Sequence, residues 1–266
     1  MKLNDVKNVL KNKGFEVEER TVNKNGNEVK ALSIGTGAAI HPTIYARTVE
    51  HLENEEELLS YVNKIIQDVP DIDVAILQDR DYIVNHCRSC VRHASDDENI
   101  IKWKVYDDLE EYIRIDLDET NTGSMSCIVT KALFETMNVD IEELRMYSRR
   151  NLLEMAEIKS MSAVLGEMMG KEFPEIEEPP MLYVGSTKNK IQGAAIILLT
   201  DLLDDFCRSH SINAITIIPS STEEVLFVTE DVDDETINQM IRDVNLQVDE
   251  WNILSDHCYH HQLVAA

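Results

Sequence analysis

The sequence predicts an α+β protein of mixed, largely antiparallel sheets packed with helices, and it leaves room for two subdomains. Short alternating or β-branched runs come in pairs around turn residues, as at 15–18 with 29–34 and 212–218 with 225–229. Between them apolar residues recur at helical spacing, most clearly over 141–155. The 266 residues are 43% hydrophobic and 28% charged, an ordinary balance for a folded chain long enough to bury sizeable cores.

Residues 4–13 suit a short Lys-rich helix that stops at Gly14. Phe15-Glu16-Val17-Glu18 has the period of a half-buried strand, and Asn23-Lys24-Asn25-Gly26-Asn27 supplies the turn that returns it as a hairpin. Pro42, in His41-Pro42-Thr43-Ile44-Tyr45, fits the first turn of a helix running to about Gln67, with a break near 53–57 and an end at Pro70. A further helix is expected over 79–94, then a strand-rich stretch over 100–134 broken at Asn121-Thr122-Gly123. Asp140 with Glu143 reads as a capping box, and Ile141, Leu144, Ser148, Leu152 and Met155 share one face of the helix it opens. Residues 157–170 extend this as a Met-rich helix.

Lys171 to Pro180 holds four glutamates and three prolines, and it divides the chain into an N-terminal α+β region (1–170), an acidic linker (171–180) and a C-terminal α+β region (181–266). The last region reads as a strand at 181–184 and a helix at 191–208. The strands 212–218 and 225–229 follow, paired antiparallel across Pro219-Ser220-Ser221-Thr222-Glu223, and a helix covers 235–248. The near-continuous apolar character of those strands implies cover on both faces. Ile237, Met240, Ile241, Val244 and Val248 form the stripe that packs the last helix on the sheet.

Charge is the property in excess. Fifty acids against 25 bases give −25, and because residues 1–30 hold seven bases and five acids, nearly all of it lies beyond them. Such a field repels phosphate, so direct binding to nucleic acid or an anionic membrane is disfavoured. The five cysteines (Cys87, Cys90, Cys127, Cys207, Cys258) form an odd set without repeating spacing. The start lacks the apolar core of a signal peptide, and the apolar run 193–199 is too short for a membrane span. A reduced, cytoplasmic setting is expected.

Two motifs invite chemistry. His86-Cys87-Arg88-Ser89-Cys90-Val91-Arg92-His93 has the residues of half a zinc site, to be completed by His257, Cys258, His260 or His261. On a helix, however, Cys87 and Cys90 share the apolar arc with Ile83, Val84 and Val91, where reduced sulfur is a small hydrophobe, so no metal and no cofactor is assigned. The turn Pro219, Ser220, Ser221, Glu223 and Glu224 sets serines beside acids, but no glycine elbow surrounds them. These residues are taken as a hydrogen-bonded turn and as the candidate binding residues. The acidic clusters lack calcium-loop spacing, and no glycine-rich phosphate loop is present.

In order along the chain, His41-Pro42-Thr43-Ile44-Tyr45, Glu143-Leu144, Asn151-Leu152, Met181-Leu182-Tyr183-Val184, Gly193-Ala194-Ala195, Ile218-Pro219-Ser220-Ser221-Thr222-Glu223-Glu224-Val225, Val244-Asn245 and Leu254-Ser255-Asp256 carry a resemblance. The sequence resembles a domain-of-unknown-function family of proteins from gut Clostridia and, more distantly, another uncharacterised family of bacilli. The resemblance implies a bacterial cytoplasmic protein of mixed α and β structure, and no catalytic residue comes with it. The expected function is a non-enzymatic protein–protein interaction or inhibitory module for a basic partner, in one form a mimic of nucleic acid acting on a defence or nucleic-acid enzyme. The alternative is a hydrolase or metal-dependent enzyme with a site assembled from Ser220, Ser221, His41, Cys87, Cys90 and distant carboxylates.

Overall fold

Val6 and Leu10 lie one turn apart on α1 (Leu3–Asn12) and form its buried face; Gly14 then takes the left-handed conformation that ends the helix (φ 89°). The computed structural model describes residues 1–24, 27–36, 41–69, 73–120, 123–170, 181–248 and 250–263, and the chain divides into two compact units, Met1–Leu77 and Gln78–Ala266. In the first, β1 (Val17–Lys24) and β2 (Asn27–Ile34) pair antiparallel from Val17↔Ile34 to Lys24↔Asn27; the expected turn residues Asn25 and Gly26 lie outside the described residues. The helix expected from Pro42 starts later. Thr43, Ile44 and Tyr45, two of them β-branched, form β3 (Thr43–Tyr45) on β2, and only then does α2 (Ala46–Glu50) begin. The break at 53–57 is a helix start: Asn54 accepts the Glu57 N–H and caps α3 (Glu55–Gln67), while the Glu57 carboxylate accepts the Glu53 N–H. Val6, Leu10, Leu32, Ile34, Ile44, Val49, Leu58 and Val62 make this unit's core.

The second unit opens with α4 (Arg80–His86), capped by Asp79. The helix expected over 79–94 ends at His86, and Cys87 turns to extended backbone as β4 (Cys87–His93). The cause is a partner far along the chain. Seven residues of β4 pair with Leu109 to Ile115 of β6 (Leu109–Thr120), while β5 (Lys102–Lys104) and β7 (Gly123–Ile128) line the other edge of β6. The Val84 carbonyl left open at the helix end accepts from Asn151 Nδ2 at 3.0 Å, and the Cys87 carbonyl accepts from the same nitrogen at 2.8 Å.

Past α5 (Lys131–Phe134), Asp140 caps α6 (Ile141–Met155) and accepts the Glu142 and Glu143 N–H groups. Glu143 does not close the expected box, because its carboxylate pairs with Arg80. Leu144, Ser148 and Leu152 are the buried face of α6, as expected. The Met-rich helix expected at 157–170 begins as a strand. β8 (Ala156–Ser160) precedes α7 (Met161–Met169), and β8 pairs with β9 (Leu182–Thr187) although 171–180, outside the described residues, separates them in sequence. The helix expected at 191–208 is a 3-10 turn, Gly193–Leu198, followed by α8 (Thr200–Ser209). β10 (Ala214–Ile218) and β11 (Glu224–Val228) pair antiparallel as expected. β10 buries Ile215, Thr216 and Ile217 in succession, whereas β11 alternates, burying Val225 and Phe227. α9 (Asp234–Asn245) and β12 (Tyr259–Gln262) complete the order β12-β10-β11-β9-β8.

Every strand pairing among the described residues is antiparallel, and the class is α+β. Ala194 to Leu199 are all buried and lie between Val91, Leu109 and Leu152 on one side and Val225 and Phe227 on the other, so one core serves both sheets of this unit. Among the described residues no helix is long and apolar enough to cross a membrane. The stripe expected on α9 is only half used: Ile237 and Ile241 are buried, while Met240, Val244 and Val248 are exposed.

Candidate functional site

Alternation along β4 and β6 gives their sheet a side facing α6 and a side turned away. Towards α6 lie Cys87, Ser89 and Val91 with Glu111, whose carboxylate has 0% exposure. Such a charge is tolerated only when fully paired. Arg145 donates to Glu111 Oε2 from Nη2 at 2.8 Å, Arg149 donates to both oxygens at 2.9 and 2.6 Å, and the Ser89 hydroxyl donates at 2.8 Å. The Ser148 hydroxyl lies 2.7 Å from the Ser89 hydroxyl and 2.9 Å from the Arg145 carbonyl. Burial alone would raise the Glu111 pKa; the Arg149 and Arg145 bonds outweigh it and hold the carboxyl below the usual range. This group fixes α6 to the sheet and offers no open position.

The far side carries Arg88, Cys90 and Arg92. Arg92 pairs with Glu110 at 2.6 Å, which Lys102 also reaches at 3.1 Å, and Arg88, 5% exposed, pairs with Asp116 at 2.5 Å. Arg88 and Asp116 also line a cleft of ≈ 560 Å³ with Tyr82, His86, Asn151 and Glu154. Arg88 is matched by Asp116, and Glu154 leaves the lining one carboxylate in excess, so the cleft presents no free cation to an anionic substrate. Tyr82 stacks on His86 at 4.0 Å and donates its hydroxyl to the Asp116 carbonyl.

The residues of His86–His93 do not converge. Three apart on a strand, Cys87 and Cys90 point to opposite sides: Cys87 Sγ lies 3.8 Å from the Leu144 carbonyl, and Cys90 packs with Ile100 and Tyr112. Both sulfurs are in cores, as expected, but through strand geometry rather than helical geometry. Burial pushes both thiols up to about 12, so neither is a ready thiolate. His93 Nδ1 lies 3.1 Å from the Leu254 carbonyl. Of the C-terminal group, His261 meets Asp204 at 2.8 Å, while Cys258 and His260 meet Asp234.

The turn Pro219–Glu224 is locked from within. Ser221 N–H donates to the Glu224 carbonyl and the Ser221 hydroxyl accepts the Glu223 N–H, each at 3.1 Å. The Glu223 carboxylate accepts the Gln192 N–H at 2.8 Å and the Thr222 hydroxyl at 3.2 Å, and the Glu223 carbonyl accepts the Ser186 hydroxyl at 2.7 Å. Ser220 N–H donates to the Ile218 carbonyl, Pro219 is buried, and Glu224 pairs with Ser186. Gly193 sits so close that a Cβ there would overlap the Glu223 carbonyl and Ser186 Oγ.

Sequence reasoning missed one constellation. Ser255 Oγ is 3.2 Å from His257 Nδ1, and His257 Nε2 is 3.7 Å from Asp108 Oδ1, the residue types of a nucleophile, a base and its orienter. Two contacts disarm it. Ser255 is 2% exposed and its hydroxyl accepts the His257 N–H, while Tyr259 donates to the Asp108 carboxylate at 2.5 Å. Asp108 lies on a different sheet's strand entry, so no local pattern in the sequence announces the trio.

Fold and site together define an antiparallel α+β protein whose buried charged groups are spent on internal pairing. The family model described as "Family of unknown function (DUF5688)" matches residues 3–262, and the chain belongs to that family. No curated protein and no solved structure matches it significantly.

Proposed function

We propose that this chain is a protein-interaction module of the cytoplasm that engages a basic partner through its acidic surface. The carrying observation is where the charge goes. Residues 78–266 hold 16 bases and 37 acids. Of those bases, Arg88, Arg92, Lys102, Arg145 and Arg149 are turned onto internal carboxylates. Outside, Glu230, Asp231, Asp233, Asp234 and Glu235 are exposed at the start of α9, beside exposed Met240 and Val244 on the same helix. A dense carboxylate edge next to apolar side chains suits a partner with a basic rim around an apolar centre. The same carboxylates would stand in for phosphates if the partner is a nucleic-acid enzyme. All five cysteines are free thiols, which supports a reducing compartment. Binding at the turn Pro219–Glu224 has less support, because the Ser221 and Thr222 hydroxyls and the Glu223 carboxylate are engaged internally.

The test is capture of host proteins by the immobilised chain at low and high salt, alongside a variant with Glu230, Asp231 and Glu235 replaced by lysine. A basic protein should be retained at low salt, released as the Debye length shrinks from ~10 Å towards ~3 Å, and lost from the variant. Retention that ignores both salt and the substitutions would overturn the reading.

A further inference from the structure

We infer that Asp234, Cys258 and His260 form a binding site for a divalent transition metal of the zinc class. Among the described residues they are a group whose potential ligand atoms all lie within 4.8 Å of one another. Bonds of about 2.0–2.3 Å place tetrahedral ligand atoms about 3.5 Å apart, so small side-chain rotations suffice.

Local structure builds the site. Cys258 and His260 are two apart at the entry to β12 and therefore project to the same side. That side faces α9, where Cys258 packs with Ile237 and Ile241. Asp234 comes from the first turn of α9, with its carboxylate 2.9 Å from His260 Nε2. The helix and strand are held in place independently of any metal, since Asn238 Oδ1 accepts the Cys258 N–H at 2.8 Å. Thr216 Oγ1 lies 3.4 Å from the other ring nitrogen of His260, the place of an outer partner that orients a ligating imidazole. The donors select the metal: one thiolate and one imidazole disfavour calcium and magnesium and favour zinc or its neighbours. Cys258 is 8% exposed as a residue while Asp234 and His260 reach the surface, so the fourth position opens to water. The surrounding Asp231, Asp233 and Glu235 draw a cation in.

This goes beyond the interaction reading, and its test does not depend on it. The full-length reduced chain, stripped with chelator, is titrated with Co²⁺ alone. One equivalent should produce a thiolate-to-cobalt charge-transfer band in the near ultraviolet, and Zn²⁺ should remove it. Cys258→Ser should abolish the band, His260→Ala and the exposed Asp234→Asn should weaken Co²⁺ binding at least tenfold, and Cys127→Ser should leave the band intact. A missing band in the wild-type chain, a band that survives in Cys258→Ser, or an affinity unchanged in both His260→Ala and Asp234→Asn overturns the proposal.

Discussion

The sheet β4-β6-β5 and the sheet β12-β10-β11-β9-β8 meet at one apolar layer, yet they depend on different physics. The first buries Glu111, Glu110, Arg88 and Arg92. The second buries Phe227, Ile215, Ile217 and Val225 against Ala194 to Leu199. A buried ion pair adds little net stability relative to an apolar pair of the same size, but losing one partner is costly. The charged sheet therefore demands completeness, whereas the apolar sheet demands volume. Specificity of alignment comes from the first and most of the cohesive free energy from the second.

Removing volume should hurt most. Phe227→Ala empties a fully buried ring site over Gly185 and is expected to cost about 3–5 kcal/mol in urea unfolding. A loss below about 1 kcal/mol would show that the apolar sheet can collapse onto the gap. Adding volume comes next. Gly193→Ala drives a methyl group into the Glu223 carbonyl and to 2.7 Å from Thr187 N, backbone atoms that cannot swing aside, and about 3 kcal/mol is expected. Breaking the charged sheet should cost less than its full burial suggests. In Glu111→Gln the side chains of Arg145 and Arg149, 27% and 37% exposed, can turn to water, so the loss should be about 2 kcal/mol, the scale of charged hydrogen bonds. A loss as large as that of Phe227→Ala would erase the contrast between the sheets.

The pH dependence sharpens the same comparison. Because the folded Glu111 carboxyl is depressed, its contribution is complete above the unfolded glutamate value of about 4.3 and fades as pH falls through the lower folded value. The difference in urea midpoint between wild type and Glu111→Gln should thus be steady near neutrality and close on acidification to about pH 3, while the deficit of Phe227→Ala should persist. Ser148→Ala, which removes the hydroxyl joining Ser89 to the Arg145 carbonyl, should have the smallest effect, about 1 kcal/mol.

What the sequence reveals is what is local. Gly14, Asp140 and the Pro219–Glu224 turn act within a few residues of themselves, and their roles are visible in the string. The β4 segment is different. Nothing in Cys87–His93 separates it from the helix before it; its extended form is imposed by β6 and its helix end by Asn151, 64 residues on. Tyr45 and Ile44 likewise signal strand only once Ala31 and Leu32 stand beside them. The site follows the same rule. Cys258 and His260 become a same-face pair only once β12 pairs with β10, and Asp234 joins them only through the packing of α9 on β12. The ion group at Glu111 is equally hidden, because its arginines come from α6.

The alternation of Arg88, Cys90 and Arg92 with Cys87, Ser89 and Val91 has an implication for how the chain avoids error. Sliding β4 by a single residue along its neighbour would swing both guanidinium groups into the aliphatic layer beneath Leu144 and Leu152 and leave Glu110 and Asp116 stranded on the other side. A rival slipped by one residue is penalised by uncompensated charge, so the native arrangement is picked out against it by the cost of the competitor as well as by its own contacts.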